Sequence, residues 1–328
     1  MYLVCYGTRP EALKLLPLIS KLGDQCKTLF TGQHPDMTFD IIAQPDYVIT
    51  DVLSHGQSLD ILGSKVLSKV SEVISMDIFH RVIVQGDTIS AFMCTLSAFH
   101  NKKIIIHIEA GLRTHDKYSP FPEEVYRTMI SRMADIHLCP TKISSNNLLA
   151  EGISSNVFVV GNTIVDTFEQ CSNTKGISGE KYILVTLHRR ENRGEKMLKM
   201  WDQLNKMTTH RIKYIIHPSL PDVTDHLTGK HIELLKPQTY SNMISLILNS
   251  EGIITDSGGL QEEAVCARKK ILVCRDTTER PETIQSGWGK LVDIEITSNI
   301  DFLYTSNKNL ENPYGKNVCN KILSIVNV

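Results

Sequence analysis

Four stretches hold most of the side chains able to move a proton or grip an anion. They are Gly7-Thr8-Arg9-Pro10-Glu11, Gln85-Gly86-Asp87-Thr88, Ile108-Glu109-Ala110-Gly111 and the run Thr255 to Glu263. The last, Thr-Asp-Ser-Gly-Gly-Leu-Gln-Glu-Glu, follows an apolar segment and opens a helical pattern. Glycines at 258 and 259 let a ligand approach the backbone closely, and a helix start offers unpaired N–H groups at the positive end of its dipole. With the Ser257 hydroxyl this makes a phosphate or diphosphate cradle. The plain alternative is a tight strand-to-helix turn capped by Asp256 or Ser257. Glu263, one turn into the helix, is placed to accept bonds from sugar hydroxyls or to be a surface glutamate.

The first stretch is a second anion site in outline. Pro10 suits a first helical position, Arg9 can bind phosphate in a bidentate manner, and Lys14 lies one turn further on, where a solvated lysine is the simpler expectation. Asp87 stands at a strand end, as a functional carboxylate or as an N-cap. Glu109 ends a very apolar strand, where desolvation should raise a carboxylate toward the range useful for acid–base work. Glu123 and Glu124 begin a helix, which simple electrostatics also favours. His188 and His217 fall at consecutive strand mouths of the second half, which points to ligand contact. His34 follows Gly32-Gln33, and His107 lies inside a strand, as a hydrogen-bonded core residue would.

The elements that must hold these groups repeat as strand, turn, helix. Apolar runs at Leu3–Tyr6, Lys27–Phe30, Arg81–Val84, Lys103–Ile108, Ile136–Cys139 and Val157–Val160 precede a polar stretch, Asn173–Glu180. The pattern restarts at Tyr182–Leu187, Ile212–Ile216, Gly252–Ile254 and Ile271–Val273. Helical periodicity lies between, at Pro10–Leu22, Lys196–Met207 and Tyr240–Leu248. Near-continuous apolar strands alternating with helices predict parallel sheets, and 328 residues hold too many units for one core. The expected architecture is α/β, two Rossmann-like doubly wound domains facing a cleft. The first spans 1–170, the second 171–311, and a terminal helix in 312–328 packs back across them. Ligands of such sheets bind beyond the carboxyl ends of the strands, where the polar clusters sit.

Composition narrows the function. With 41% hydrophobic and 22% charged residues the chain is globular, which excludes disordered and low-complexity classes. Lys and Arg number 35 against 36 Asp and Glu, so no basic footprint for nucleic acid is expected. No apolar run approaches a membrane span, and the eight cysteines form no CxxC pair, so buried reduced thiols, a cytoplasmic setting and no metal site are expected. There is no GxSxG elbow, no GxxxxGK[ST] loop and no GxGxxG fingerprint. Two anion cradles, several carboxylates and two histidines suit a nucleotide sugar held by its diphosphate while its sugar exchanges a proton.

The motifs also resemble a known family, the non-hydrolysing UDP-N-acetylglucosamine 2-epimerases. The matching stretches run in family order through nearly the whole chain. They include Gly7 to Ala12 with Lys14, Gln33-His34, Gly86-Asp87-Thr88, His107 to Thr114, Ser119 to Glu124 with Arg127, and Gly161-Asn162-Thr163. They continue with His188 to Asn192, Thr255 to Glu263, Arg275 to Glu282 and Asn312-Pro313-Tyr314-Gly315. The resemblance implies a glycosyltransferase-B-like fold and reversible conversion of UDP-GlcNAc to UDP-ManNAc through elimination and re-addition, with no cofactor and no metal. It implies catalytic roles for Asp87, Glu109, Glu123 and His217. It implies UDP or sugar binding by Arg9, Lys14, Arg127, Ser257, Gly258, Gly259, Glu263 and Arg280. A second, activating UDP-GlcNAc site would draw on Gln33, His34, Gln57, His188 and Arg189. Two departures stand out: the turn His217 to Pro221 is one residue longer than the family pattern, and Gly56 replaces an expected arginine. A UDP-sugar substrate and a homodimer are implied, with no membrane partner. The competing readings are a 2-epimerase of a related UDP-amino sugar such as a UDP-diacetamido-uronic acid, a glycosyltransferase on the same fold, and a non-catalytic nucleotide-sugar binding protein.

Overall fold

The structure is a computed structural model and describes residues 1–33, 44–49, 58–172, 179–217, 220 and 223–326. It divides into two compact units, Met1–Thr167 with Tyr314–Val328, and Phe168–Pro313.

The first unit is built on a seven-stranded sheet. Its strands are β1 (Tyr2–Tyr6), β2 (Cys26–Phe30), β3 (Tyr47–Val48), β4 (Arg81–Gln85), β5 (Ile104–Ile108), β6 (Ile136–Cys139) and β7 (Val157–Val159). They lie in the order β3-β2-β1-β4-β5-β6-β7, and every pairing is parallel. Strands such as Tyr-Leu-Val-Cys-Tyr are buried along their whole length, because helices cover both faces and leave no solvated side to alternate toward.

The second unit carries β8 (Ile183–Thr186), β9 (Ile212–Ile215), β10 (Ile232–Leu235), β11 (Gly252–Thr255), β12 (Ile271–Val273) and β13 (Gly289–Leu291). Their order is β10-β9-β8-β11-β12-β13, again all parallel. Ile183 and Val185 join one apolar cluster and Leu184 another, as the two-residue period of a strand between two helical layers requires. Counted from the first strand of each unit, both sheets share the order 3-2-1-4-5-6. That order reverses beside strand one, and the crevice at the reversal is where such sheets take ligands.

The terminal helix Val318–Val326 belongs to the first unit. The Asp166 carboxylate accepts the backbone N–H groups of Val318 and Cys319 at 3.0 and 2.7 Å, and the Tyr2 hydroxyl donates to the Val326 carbonyl at 2.7 Å. The turn before it closes on Gly161, whose φ is +104° and where an added Cβ would stand 2.5 Å from the Tyr314 carbonyl oxygen. Only glycine fits that approach. The eight cysteines are free thiols, six of them buried and Cys171 and Cys266 half-buried.

Candidate active site

In the first unit the polar groups gather just past the carboxyl ends of β1, β4, β5 and β7. Glu109, the first residue after β5, has φ +66°, a left-handed backbone that is uncommon outside glycine and is held only where surroundings over-determine it. Its side chain is 8% exposed and meets donors from a helix, a strand end and a turn. Lys14 Nζ lies 2.5 Å from Oε1, Asn162 Nδ2 donates to the same oxygen at 3.1 Å, and Gln85 Nε2 donates to Oε2. Lys14 is buried within the helix Arg9–Leu22, so it is a counter-ion and not a solvated surface lysine. Burial alone disfavours a charged carboxylate, but an ammonium and two amide donors favour it. The apolar strand that suggested a desolvated acid therefore delivers one wrapped in donors.

Asp87 follows β4 and is gripped by Arg127. Nε and Nη2 of Arg127 both donate to its Oδ2, at 2.9 and 2.5 Å. The third contact of that guanidinium, from Nη1, goes to Glu124 Oε2 at 3.0 Å, and Glu124 in turn accepts the Thr114 and His115 N–H groups. Arg127 thus fixes the side chain of Asp87 from a helix, Glu123–Met133, that also starts with Glu123. Acidic residues at a helix start are stabilised by its dipole. Tyr126, one turn along, is raised by burial and then by the charges of Glu123 and Asp60.

The β4 and β5 turns are tied together from behind. His107, inside β5 and fully buried, has Nε2 2.8 Å from the Gly86 carbonyl. A carbonyl only accepts, so the ring carries its proton on Nε2. Burial pushes the pKa of His107 down to about 3, which keeps it neutral. The Gly86 N–H donates to the Ile108 carbonyl at 3.0 Å. At the β1 turn Glu11 is buried and accepts from Gly7 N–H, Thr8 N–H and Thr8 Oγ1 at 2.9, 2.7 and 2.9 Å, while its other oxygen takes Thr88 Oγ1 at 2.5 Å. The Thr8…Glu11 spacing is a capping-box signature, so the closure of this turn had a sequence signal, whereas the Thr88 bond that links it to β4 had none. Arg9 opens the same helix and is half-buried. Gln33 accepts from the Ser90 N–H and hydroxyl at 3.2 and 2.7 Å. His34, Gln57 and Gly56 lie outside the described residues.

In the second unit Asp256 follows β11 and is fully buried. Its carboxylate accepts the N–H groups of His188 and Arg189, the nearer contacts at 3.0 and 2.9 Å, and the Asn192 side-chain amide at 3.0 Å. His188 Nδ1 lies 3.4 Å from it. The β8 loop is thereby pinned to the β11 turn. His188 and His217 stack with ring centroids 4.5 Å apart and planes 11° from parallel. Burial lowers both rings, against the pull of Asp256 on His188, and His188 lowers His217 further.

Ser257 stands at the N-cap position of the helix Gly258–Cys266 without a side-chain capping bond, and the first residues of that helix are the two glycines. An added Cβ at Gly258 would stand 2.5 Å from Arg280 Nη1 and 2.8 Å from Glu279 Oε1, whereas at Gly259 it would meet open space. One glycine permits the packing behind the turn and the other leaves its outer side clear. Behind it lies a buried ion cluster. Arg280 donates to Glu262 at 2.6 Å and Glu279 at 2.5 Å, and Arg275 to Glu279 at 2.6 Å. Burial would raise the Glu279 carboxyl, but the guanidiniums of Arg280, Arg275 and Arg189 outweigh it and hold it far below the usual range. Arg280 is therefore engaged beneath the glycines. Tyr240 is raised by burial and then by the neighbouring charge of Glu263.

The sequence analysis assigns no site role to Gln85, Asn162 or Glu279, and offers Asp256 only as a cap and Glu124 only as an acid of a helix start. Gln85 and Asn162 lie within stretches of interest, but an amide gives no chemical signal until its partner is seen. No helix among the described residues is long and apolar enough to cross a membrane.

These two sheets and their loaded strand ends define an enzyme of the Rossmann-like, glycosyltransferase-B-like α/β class. A family model described as UDP-N-acetylglucosamine 2-epimerase matches residues 20–327. The chain belongs to that family. It is 35% identical to the UDP-N-acetylglucosamine 2-epimerase of Salmonella borreze, over 97% of this chain and 96% of that one. Among solved structures it resembles the Neisseria meningitidis UDP-GlcNAc 2-epimerase bound to UDP-GlcNAc, with a TM-score of 0.89, 34% identity, and 99% and 98% of the two chains covered. It also resembles the Methanocaldococcus jannaschii enzyme in complex with UDP-GlcNAc and UDP, with a TM-score of 0.88, 30% identity, and 100% and 99% covered.

Proposed function

We propose that this protein interconverts UDP-N-acetylglucosamine and UDP-N-acetylmannosamine by anti elimination of UDP and re-addition. A carboxylate takes the proton from carbon 2 while the bond from carbon 1 to the UDP oxygen breaks. The products of this half are UDP and a glycal with a double bond between carbons 1 and 2. Return of a proton to the opposite face of carbon 2, with attack of the UDP oxygen on carbon 1, completes the epimer. Nothing is oxidised or reduced overall, so the chemistry calls only for groups that move protons and groups that hold UDP.

The observation that carries this reading is the pair of gripped carboxylates on adjacent turns, Glu109 with Lys14 and Asp87 with Arg127. Abstraction and delivery on opposite faces need two acid–base groups, and Asp87, Glu109 and Glu123 are assigned to them, with His217 as a further catalytic group. Arg9, Ser257 and the N–H groups of Gly258 and Gly259 hold the departing diphosphate, where fixed donors stabilise developing charge. Glu263 takes the ribose, and Lys14, Arg127 and Arg280 support the site through the carboxylates they contact. Gln33, His34, Gln57, His188 and Arg189 are assigned to a second UDP-GlcNAc site, and the enzyme works as a cytoplasmic homodimer that supplies a polysaccharide or glycan precursor.

Incubation with UDP-GlcNAc in deuterated water, followed by NMR, tests the reaction. Deuterium at carbon 2 of both epimers is the expected outcome. Incorporation only with a different UDP-amino sugar would reassign the substrate, and no exchange with any member of such a panel would reject the reading.

A further inference from the structure

The mechanism above uses the Glu109 carboxylate and its Lys14 counter-ion but leaves two neutral groups on it unexplained. Gln85, the last residue of β4, is 3% exposed and aims its amide nitrogen at Oε2. Asn162, in the turn after β7, is also 3% exposed and donates to Oε1 at 3.1 Å. They come from opposite sides of the β5 strand end, and each is held firmly. Asn162 Oδ1 accepts the Ile164 N–H at 3.0 Å at the start of the next helix, and its own N–H donates to the Tyr314 carbonyl at 2.9 Å. Gln85 sits in the strand, next to the Gly86 turn that His107 fixes. The +66° φ of Glu109 swings its side chain to the point where both amides reach it.

We propose that Gln85 and Asn162 are positioning residues for Glu109, each clamping one carboxylate oxygen so that the base meets the sugar in one orientation and in its charged form. The inference rests on the assignment of Glu109 as an acid–base group. Neutral donors suit this task. A second cation would suppress the basicity the reaction needs, whereas an amide orients the carboxylate through a weaker bond and does not itself titrate. Near-attack geometry tolerates little misplacement, so a carboxylate free to rotate would lose rate while substrate binding persisted.

Two isosteric substitutions separate positioning from folding. Asn162→Asp keeps the oxygen that accepts from Ile164 and turns only the group facing Glu109 into an acceptor. Gln85→Glu does the same from the other side, on a different element. Each variant is measured for deuterium incorporation at carbon 2 of UDP-GlcNAc, for the pH profile of kcat/KM and for Tm. For each, kcat should fall about 30-fold or more with KM within about threefold. The acid limb of kcat/KM should move to higher pH by about one unit, because a lost donor and an added like charge both disfavour the charged base. Wild-type kcat and an unmoved acid limb in both variants would overturn the proposal. A lower kcat with the acid limb in place would overturn it too, since a packing defect removes active enzyme without changing a proton affinity. Glu109→Gln is the control on the underlying assignment. If it keeps full exchange, that assignment fails. If it abolishes exchange while Gln85→Glu and Asn162→Asp behave as wild type, only the positioning role fails.

Discussion

The two units share one strand order and differ in what their strand ends carry. In the first, each carboxylate past a strand end is paired with a buried cation: Glu109 with Lys14, Asp87 with Arg127. In the second the arrangement differs. The carboxylates Asp256, Glu262 and Glu279 are buried behind the turns, where they orient loops and absorb arginines, and what is left open is the helix start, half-buried at Ser257 and exposed at Gly259. On the proposed function, the common scaffold is loaded in two ways, one set of strand ends for proton movement and the other for anion capture. The buried carboxylates of the second unit hold its loops and arginines in place, and a list of acidic residues cannot tell that use from the acid–base use proposed for the first unit.

Substitutions can break this contrast. The largest effect is expected from Lys14→Met, which leaves the Glu109 carboxylate buried beside an apolar stem. A loss of about 10²–10³ in kcat for carbon-2 exchange is expected, equivalent to about 3–4 kcal/mol of barrier. Steady-state kinetics would check it, and a change confined to KM would place Lys14 in binding alone. Asp256→Asn comes next. The added amide protons would face the His188 and Arg189 N–H groups, so the β8 loop should loosen at a cost of about 2 kcal/mol, read as a lower urea midpoint. An unchanged midpoint would mean that the second unit does not depend on its buried carboxylate.

A further effect, close to neutral pH the smallest, concerns proton uptake. His107 is neutral in the fold, with its pKa near 3, whereas an unfolded histidine titrates near 6.5. The unfolded chain therefore binds the proton first as pH falls. The stabilisation is complete above about pH 6.5 and is lost progressively toward pH 3, by at most about 1.4 kcal/mol per pH unit from this residue. His107→Gln, which keeps a donor for the Gly86 carbonyl, should flatten the slope of unfolding free energy between pH 4.5 and 6.5. An equally steep slope in the variant would assign the proton uptake to other groups, such as His137, whose pKa burial also lowers.

Much of the fold is legible in the sequence because parallel central strands are continuous apolar runs. Ile136–Cys139 and Ile271–Val273 coincide with the expected segments, the terminal helix Val318–Val326 falls within the expected 312–328, and β1, β4, β5, β8, β9 and β11 differ from their segments by a residue or two. The strands that escaped, β3, β10 and β13, lie at sheet edges or are only partly buried, so Tyr47–Val48 and Gly289–Leu291 show no apolar run to find. In the site, residue types marked the carboxylates, histidines and glycines well. They did not mark orientation. The left-handed φ of Glu109, the burial of Lys14 and the inward turn of Arg280 follow from tertiary packing, which no local spacing encodes. His107, expected as a hydrogen-bonded core residue, is one.

A paired measurement on one variant from each unit tests the contrast most directly: carbon-2 exchange turnover and UDP affinity by calorimetry, for Glu109→Gln and Gly258→Ala. Glu109→Gln should lose about 10³-fold in turnover with its UDP dissociation constant within about threefold of the native value. Gly258→Ala, which pushes a methyl against Arg280, should weaken UDP binding about tenfold or more while turnover at saturation falls far less. Equal losses of turnover and affinity in both variants would contradict the division of labour between the two units.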